Sequence, residues 1–156
     1  MPDNVSKEDI RSRLAVRPGF MFRRSAQMAH GLFERGCREL GLTTGQYDVL
    51  FVLFYESEVD QDRLAQVLGL DRSTTGVLAG NLEKKGFIAR RVKPDDRRKR
   101  ILALTPEGAE IFKQAQPIAE RAKDKILAPL TEEERAILFA LLGRLVVEGD
   151  EEGGAG

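Results

Sequence analysis

Between Pro18 and Leu40 the apolar residues Phe22, Ala26, Ala29, Phe33, Cys37 and Leu40 recur every three or four positions, the stripe of an amphipathic helix. Pro18 suits a first helical turn and Gly41 a stop. Thr43, followed three residues later by Gln46, has the pattern of a capping box. It predicts a second helix with Tyr47, Leu50, Phe51 and Phe54 on one face. Asp60 can cap a short helix over Gln61–Leu68 that Gly69 ends; Asp71 can cap another from Arg72 to about Lys85 that Gly86 ends. Two short helices separated by Gly69-Leu70-Asp71 make a helix-turn-helix pattern.

The period then changes. Phe87–Lys93 (FIARRVK) and Arg100–Leu104 (RILAL) are β-prone, and the charged PDDRRK between them reads as the loop of a β-hairpin. Thr105-Pro106 opens a long helix expected to reach about Leu127, with Pro117 expected to kink or break it. Thr131 and Glu134 repeat the capping-box spacing ahead of a last helix, in which Ile137, Leu138, Leu141, Leu142 and Leu145 form an apolar stripe. The tail Glu148–Gly156 (EGDEEGGAG) is acidic and glycine-rich, and predicts disorder. The expected fold is mainly α with a small β-hairpin wing. A winged helix-turn-helix over about 43–104 is flanked by outer helices over about 17–41 and 105–147, with 1–16 as an N-terminal extension.

Composition narrows the function classes. With 156 residues, 42% hydrophobic and 32% charged, the chain has the make-up of one globular domain. One cysteine, Cys37, excludes an internal disulfide framework, and one histidine, His30, excludes a histidine-rich metal site. No glycine-rich phosphate loop or metal-ligand cluster is present, so neither an enzyme nor a cofactor is expected. The carboxylates sit at helix starts and in the tail, where capping and solubility account for them. No apolar run approaches the roughly 18 residues that span a bilayer. The opening MPDNVSKEDIRSRLAV has no apolar core of a secretory signal, so a cytoplasmic protein without a membrane partner is expected.

The net charge of zero conceals a segregation. Gln61–Thr105 carries 11 Lys/Arg against 5 Asp/Glu, so the remainder is acidic. A basic block centred on a helix-turn-helix and hairpin is the footprint of a phosphate-binding surface.

At the hairpin, Asp96-Arg97-Arg98 is followed after five residues by Leu104-Thr105, and then by Pro106-x-Gly108. With LGLDRSTTG over Leu68–Gly76, this resembles the MarR family of regulators across roughly Arg17–Val147. The resemblance implies an obligate homodimer built from the first and last helices, a palindromic operator in double-stranded DNA, and a small-ligand cleft between the dimerisation and DNA-binding regions. Repression relieved by ligand is that family's usual mode. Ser73-Thr74-Thr75, together with Leu127–Arg135 (LAPLTEEER), is similar to a branch that regulates breakdown of aromatic acids and senses the acid or its coenzyme A thioester.

Within the helix from Arg72, the core face falls to Thr75, Leu78, Ala79 and Leu82. Ser73, Gly76, Val77, Gly80, Asn81 and Lys84 then look outward, and with Arg72 and Thr74 at the helix start they are the candidate contacts to the major groove. Asn81 can bond adenine and Val77 can touch a thymine methyl. Gly76 and Gly80 each cost roughly 1 kcal/mol relative to alanine, for close approach either to DNA or to a neighbouring helix. Because few long side chains remain, specificity leans on the wing and on DNA shape. The resemblance implies that Arg98 enters the minor groove with Asp96 paired to it, while Arg97, Lys99 and Arg100 suit phosphate contacts.

Aromatic and long apolar residues cluster on the first two helices, and most belong to a core. Phe22, Met28, Phe33, Tyr47 and Phe51 are also candidates to line a ligand cleft. Arg23, Arg24 and His30 fall on the polar side, where one can pair with a ligand carboxylate or phosphate; His30 also reads as an ordinary surface histidine. Cys37 offers a redox-sensing alternative, helped by Arg35 and Arg38, against its reading as a small hydrophobe in the apolar stripe. A winged helix serving as a protein-interaction adaptor is a further alternative, which the basic wing disfavours.

Overall fold

The computed structural model describes residues 7–57, 59–93 and 96–153. In chain order they form α1 (Lys7–Ala15), α2 (Pro18–Gly36), α3 (Thr44–Tyr55), β1 (Val59–Asp60), α4 (Gln61–Leu68), α5 (Arg72–Lys84), β2 (Ile88–Lys93), β3 (Asp96–Leu104), α6 (Pro106–Leu127) and α7 (Glu132–Gly153). The starts expected from capping residues are made. Thr43 Oγ1 accepts from the Gln46 N–H while Gln46 Oε1 accepts from the Thr43 N–H, both at 3.3 Å. Asp60 and Asp71 each accept a backbone N–H three residues on, at 2.8 Å. Gly69 and Gly86 end α4 and the turn after α5 with φ of 61° and 76°, a left-handed backbone that glycine adopts without strain.

Five features depart from the expectation. Helix α2 ends at Gly36, because Cys37–Gly41 tightens into turns whose Leu40 and Gly41 N–H groups bond three residues back. The turn leaves Cys37 and Leu42 buried. On α3 the fully buried residues are Val49 and Leu50, with Val52 and Leu53 beside them, while Phe51 and Phe54 stay half exposed. This helix packs on several sides, so a single stripe does not describe it. Helix α6 is not broken at Pro117, whose side chain is exposed; the buried Phe112, Ala115 and Ala122 hold both halves along the core. Strand β3 begins at Asp96 rather than Arg100, since Lys93 pairs with Asp96 after an irregularity at Val92/Lys93. Finally, α7 continues through Glu148–Gly153, the start of the segment expected to be disordered; once its capped first turn exists, each further residue adds a backbone bond.

Two elements went unpredicted: α1 within the N-terminal extension, and β1, whose two residues pair antiparallel with Leu102 and Ile101 to make the sheet order β1-β3-β2. Two residues are too few to show a period. No helix among the described residues is long and apolar enough to cross a membrane.

The core joins α2, α3, α5, α6 and the sheet, through Phe33, Leu50, Leu53, Leu82, Leu102 and Phe112 among others. Where the wing returns to α6 the backbone is tied closely. The Phe87 carbonyl accepts from the Thr105 N–H at 3.1 Å, and Thr105 Oγ1 donates to the Gly86 carbonyl at 2.7 Å. Thr105 Oγ1 also accepts from the Gly108 N–H at 3.0 Å. A Cβ on Gly108 would lie 1.8 Å from the Phe87 carbonyl oxygen, so the Pro-x-Gly motif has a packing reason.

A paired substitution tests this reading. Gly108→Ala is expected to destabilise by about 3 kcal/mol or to prevent folding. Gly80→Ala, whose Cβ meets nothing within 4 Å, is expected to stabilise by about 0.5–1 kcal/mol through helix propensity and a stiffer unfolded chain. Urea unfolding of both variants provides the check.

Candidate nucleic-acid interface and adjoining cleft

Helix α5 turns its Thr75, Ala79 and Leu82 inward, all fully buried, with Leu78 half-buried beside them. Its other face carries Ser73, Val77, Asn81 and Lys84, all exposed. The start of the helix is fixed from both sides. Asp71 accepts from the Thr74 hydroxyl at 2.6 Å as well as from its N–H, and these bonds hold the Asp71 carboxyl below the usual range. Thr74 thereby acts first as part of the cap. Exposed Arg72 lies 3.4 Å from Asp62 of α4.

The two glycines differ in their surroundings. A Cβ at Gly76 would sit 3.0 Å from Nε2 of Gln61 on α4, which donates to the Arg72 carbonyl at 3.1 Å. Gly76 therefore lies against the tip of the Gln61 side chain of α4. Gly80 faces open space.

The wing follows α5 directly and is braced against it by an ion pair between Arg90 of β2 and Glu83, 2.9 Å apart. Sequence reasoning missed this pair, since the partners lie on different elements. Asp96, Arg97, Arg98 and Lys99 fall in the first half of β3, and Arg100 beside them is exposed. The side chains of Asp96–Lys99, and with them the expected Asp96–Arg98 pairing, lie outside the described residues.

On the far side of α3 a cleft of about 820 Å³ opens between α2, α3, α6 and α7. Its walls are mainly apolar. Four of the eight candidate ligand residues line it: Phe22, Met28, Phe33 and Tyr47; Arg24 does not, and its guanidinium donates to Gln27 Oε1 at 3.4 Å. Phe51 instead joins Tyr47 and Phe54 around the buried Phe112, with ring centroids 6.0, 5.5 and 4.5 Å from it. Arg23 lies over the Phe20 ring at 5.5 Å and, like the exposed His30, does not line the cleft. Its charged residues are Asp48 and Lys123, the latter paired with Glu120. Neither was singled out from the sequence, although Thr44, Tyr47 and Asp48 share helical spacing on one face. Burial pushes the Tyr47 hydroxyl up to about 12, with the nearby Glu120 and Asp48 charges adding to the shift, so it stays a neutral donor. Asp48 sits at the exposed rim, yet the surrounding apolar walls raise its carboxyl above the usual range, an effect that His30 partly opposes. Cys37 is fully buried, and burial pushes its thiol up despite the opposing charge of Arg121.

An exposed helix face beside a braced basic hairpin, on a helix-turn-helix core, defines a winged-helix DNA-binding protein. Comparison with known proteins makes the assignment specific. The MarR family model matches residues 42–99. Over 145 residues, 92% of this chain and 87% of the relative, the sequence is 32% identical to a candidate transcriptional regulatory protein for the hcr operon of Thauera aromatica. The crystal structure of the PcaV transcriptional regulator of Streptomyces coelicolor in complex with its natural ligand superposes with a TM-score of 0.78 at 32% identity, covering 85% of this chain and 94% of that one. A mutant of E. coli MarR complexed with operator DNA has the same fold, with a TM-score of 0.79 at 24% identity over 84% of this chain and 94% of that one. The chain belongs to the MarR family and is a DNA-binding transcriptional regulator of that type.

The raised Asp48 carboxyl gives a signed prediction. Because its folded-state affinity for a proton exceeds the unfolded one, the wild type loses stability as pH rises through and above the usual carboxylate range near 4. Asp48→Asn removes that loss. Its denaturation midpoint relative to wild type is expected to rise from acidic to neutral pH; a constant difference would contradict the assigned environment.

Proposed function

We propose that the protein is a cytoplasmic homodimeric repressor that holds a palindromic operator and is released when a small aromatic acid, free or as its coenzyme A thioester, enters the cleft. The observation that carries this reading is the position of the cleft. Helix α3 forms one wall of it and also packs against α5, so a ligand there bears on the helix that faces DNA.

Several features support the partners in turn. The apolar stripe of α7 divides: Leu138 and Leu142 border the cleft, while Ile137, Leu141 and Leu145 are each more than half exposed in the single chain. A second copy covering that face removes a large apolar surface from water. Two-fold symmetry of the dimer then calls for a palindromic site with one α5 in each of two successive major grooves. Ser73, Val77 and Asn81 are the side chains available for base edges. The exposed Arg72, Lys84 and Arg100 suit phosphates, and we assign Arg97 and Lys99 to phosphates and Arg98 to a narrow minor groove. In the cleft, Phe22, Met28 and Phe33 suit an aromatic ring, and the neutral Tyr47 hydroxyl and Lys123 ammonium suit a carboxylate. Arg23 and His30, standing outside the walls, leave that task to Lys123. The ligand-bound crystal structure of PcaV at 32% identity supports a ligand-responsive reading.

The redox alternative has less support. A fully buried Cys37 whose thiol is raised by burial has little thiolate to react, and fits the role of a small core hydrophobe.

Fluorescence anisotropy on the protein's own promoter fragment, across a salt series, tests the reading. Arg98→Ala is expected to weaken operator binding by about 1–3 kcal/mol. One member of a panel of aromatic acids and coenzyme A thioesters is expected to release the wild type. Release by mild peroxide alone would move the sensor to Cys37, and affinity equal to that for random DNA would remove the promoter as the operator.

A further inference from the structure

The C-terminal end of α5 is anchored by a contact that neither the DNA face nor the cleft explains. Lys85, the exposed C-cap residue, extends its ammonium back to the turn between α2 and α3. There Nζ donates to the Gly41 carbonyl at 2.5 Å and to Gln46 Oε1 at 3.0 Å. The two acceptors lie 44 and 39 residues away in sequence, so the bonds fix tertiary position rather than local helix.

The acceptor matters. Gln46 is only 6% exposed, and the same Oε1 already closes the α3 capping box by accepting from the Thr43 N–H. Next to it, Gly45 lies against Leu78 of α5, which an added Cβ would meet at 3.3 Å. One residue further along, Tyr47 and Asp48 line the cleft, as does Thr44. The first turn of α3 therefore presents the cleft on one side and seats α5 on the other.

We propose that Lys85 is a positioning residue, whose two bonds hold the recognition helix in register with the cleft-lining turn of α3. This rests on the reading of α5 as the DNA-facing helix and of the cleft as the effector site. A shift of the first turn of α3 then pulls the C-terminal end of α5 through Gln46 and Lys85. The ammonium is committed to two protein acceptors and does not serve as a phosphate contact, although it belongs to the basic segment.

The test compares Lys85→Met, which keeps the stem but loses the charge, with Lys85→Arg, which can donate to both acceptors again. Each variant is titrated against an operator selected by the wild-type protein from random DNA, over a salt series. Hydrogen exchange is followed in parallel on the free proteins. Lys85→Met is expected to bind about tenfold more weakly, the scale of a lost charge-assisted bond, with the slope of log affinity against log salt unchanged. Amides of the α2–α3 turn and of the end of α5 should exchange faster together, and Lys85→Arg should restore both readouts. A slope reduced by about one, with exchange unchanged, would make Lys85 a phosphate contact and overturn the proposal. Unchanged operator affinity with a lowered unfolding midpoint would reduce it to a stability contact and overturn it equally. If the wild type selects no operator, the DNA reading fails by itself, and the paired exchange response still decides whether Lys85 links the two segments.

Discussion

Everything functional in this chain depends on how α6 is clamped to α3. Phe112, fully buried, stands at the centre of a row of rings from α3: Tyr47 at 5.5 Å, Phe51 at 6.0 Å, Phe54 at 4.5 Å and Tyr55 at 6.4 Å. Phe112 is buried while the α3 rings around it stay partly exposed, so the cluster acts through ring–ring contacts, which add attraction and fix orientation. Because α6 belongs to the long-helix frame and α3 to the winged helix, this cluster sets the distance between the two. The cleft is the space left where the same interface stops being filled, and Tyr47 belongs to both: its ring packs on Phe33 and Phe112 and also borders the cavity.

From that clamp the DNA-facing surface is built outward by short-range ties. Asp71 caps α5, Gln61 lies over Gly76, and Glu83 holds Arg90 of the wing. The Thr105–Gly86–Phe87 bonds return the hairpin to α6 without slack. Each tie is worth little by itself, and exposed ion pairs such as Arg72–Asp62 are worth least. Together they make the helix and hairpin one rigid unit, which is what base reading at fixed spacing requires. The unit is seated on α3, and that seat borders the cavity. That geometry is what the proposed ligand response uses: one helix borders both the cavity and the seat of the DNA face.

Sequence by itself determined much of this, because the signals were local. Capping residues at Thr43, Asp60, Asp71, Thr105 and Thr131 and turn glycines at Gly69 and Gly86 act within a few residues, so their spacing marks helix ends directly. The inward face of α5 followed from period alone, and the basic segment from counting charges. What only the tertiary structure decided involves partners far apart in the chain. A two-residue β1 exists because β3 offers it an edge, and α6 continues past Pro117 with buried flanks on both sides. Gly108 is required by a carbonyl 21 positions earlier, Arg23 and His30 stand outside the cleft while Asp48 and Lys123 border it, and Lys85 reaches back to Gln46. Helical period tells which residues share a face; it carries no information about what that face will meet, because packing between distant segments is settled by the whole core at once.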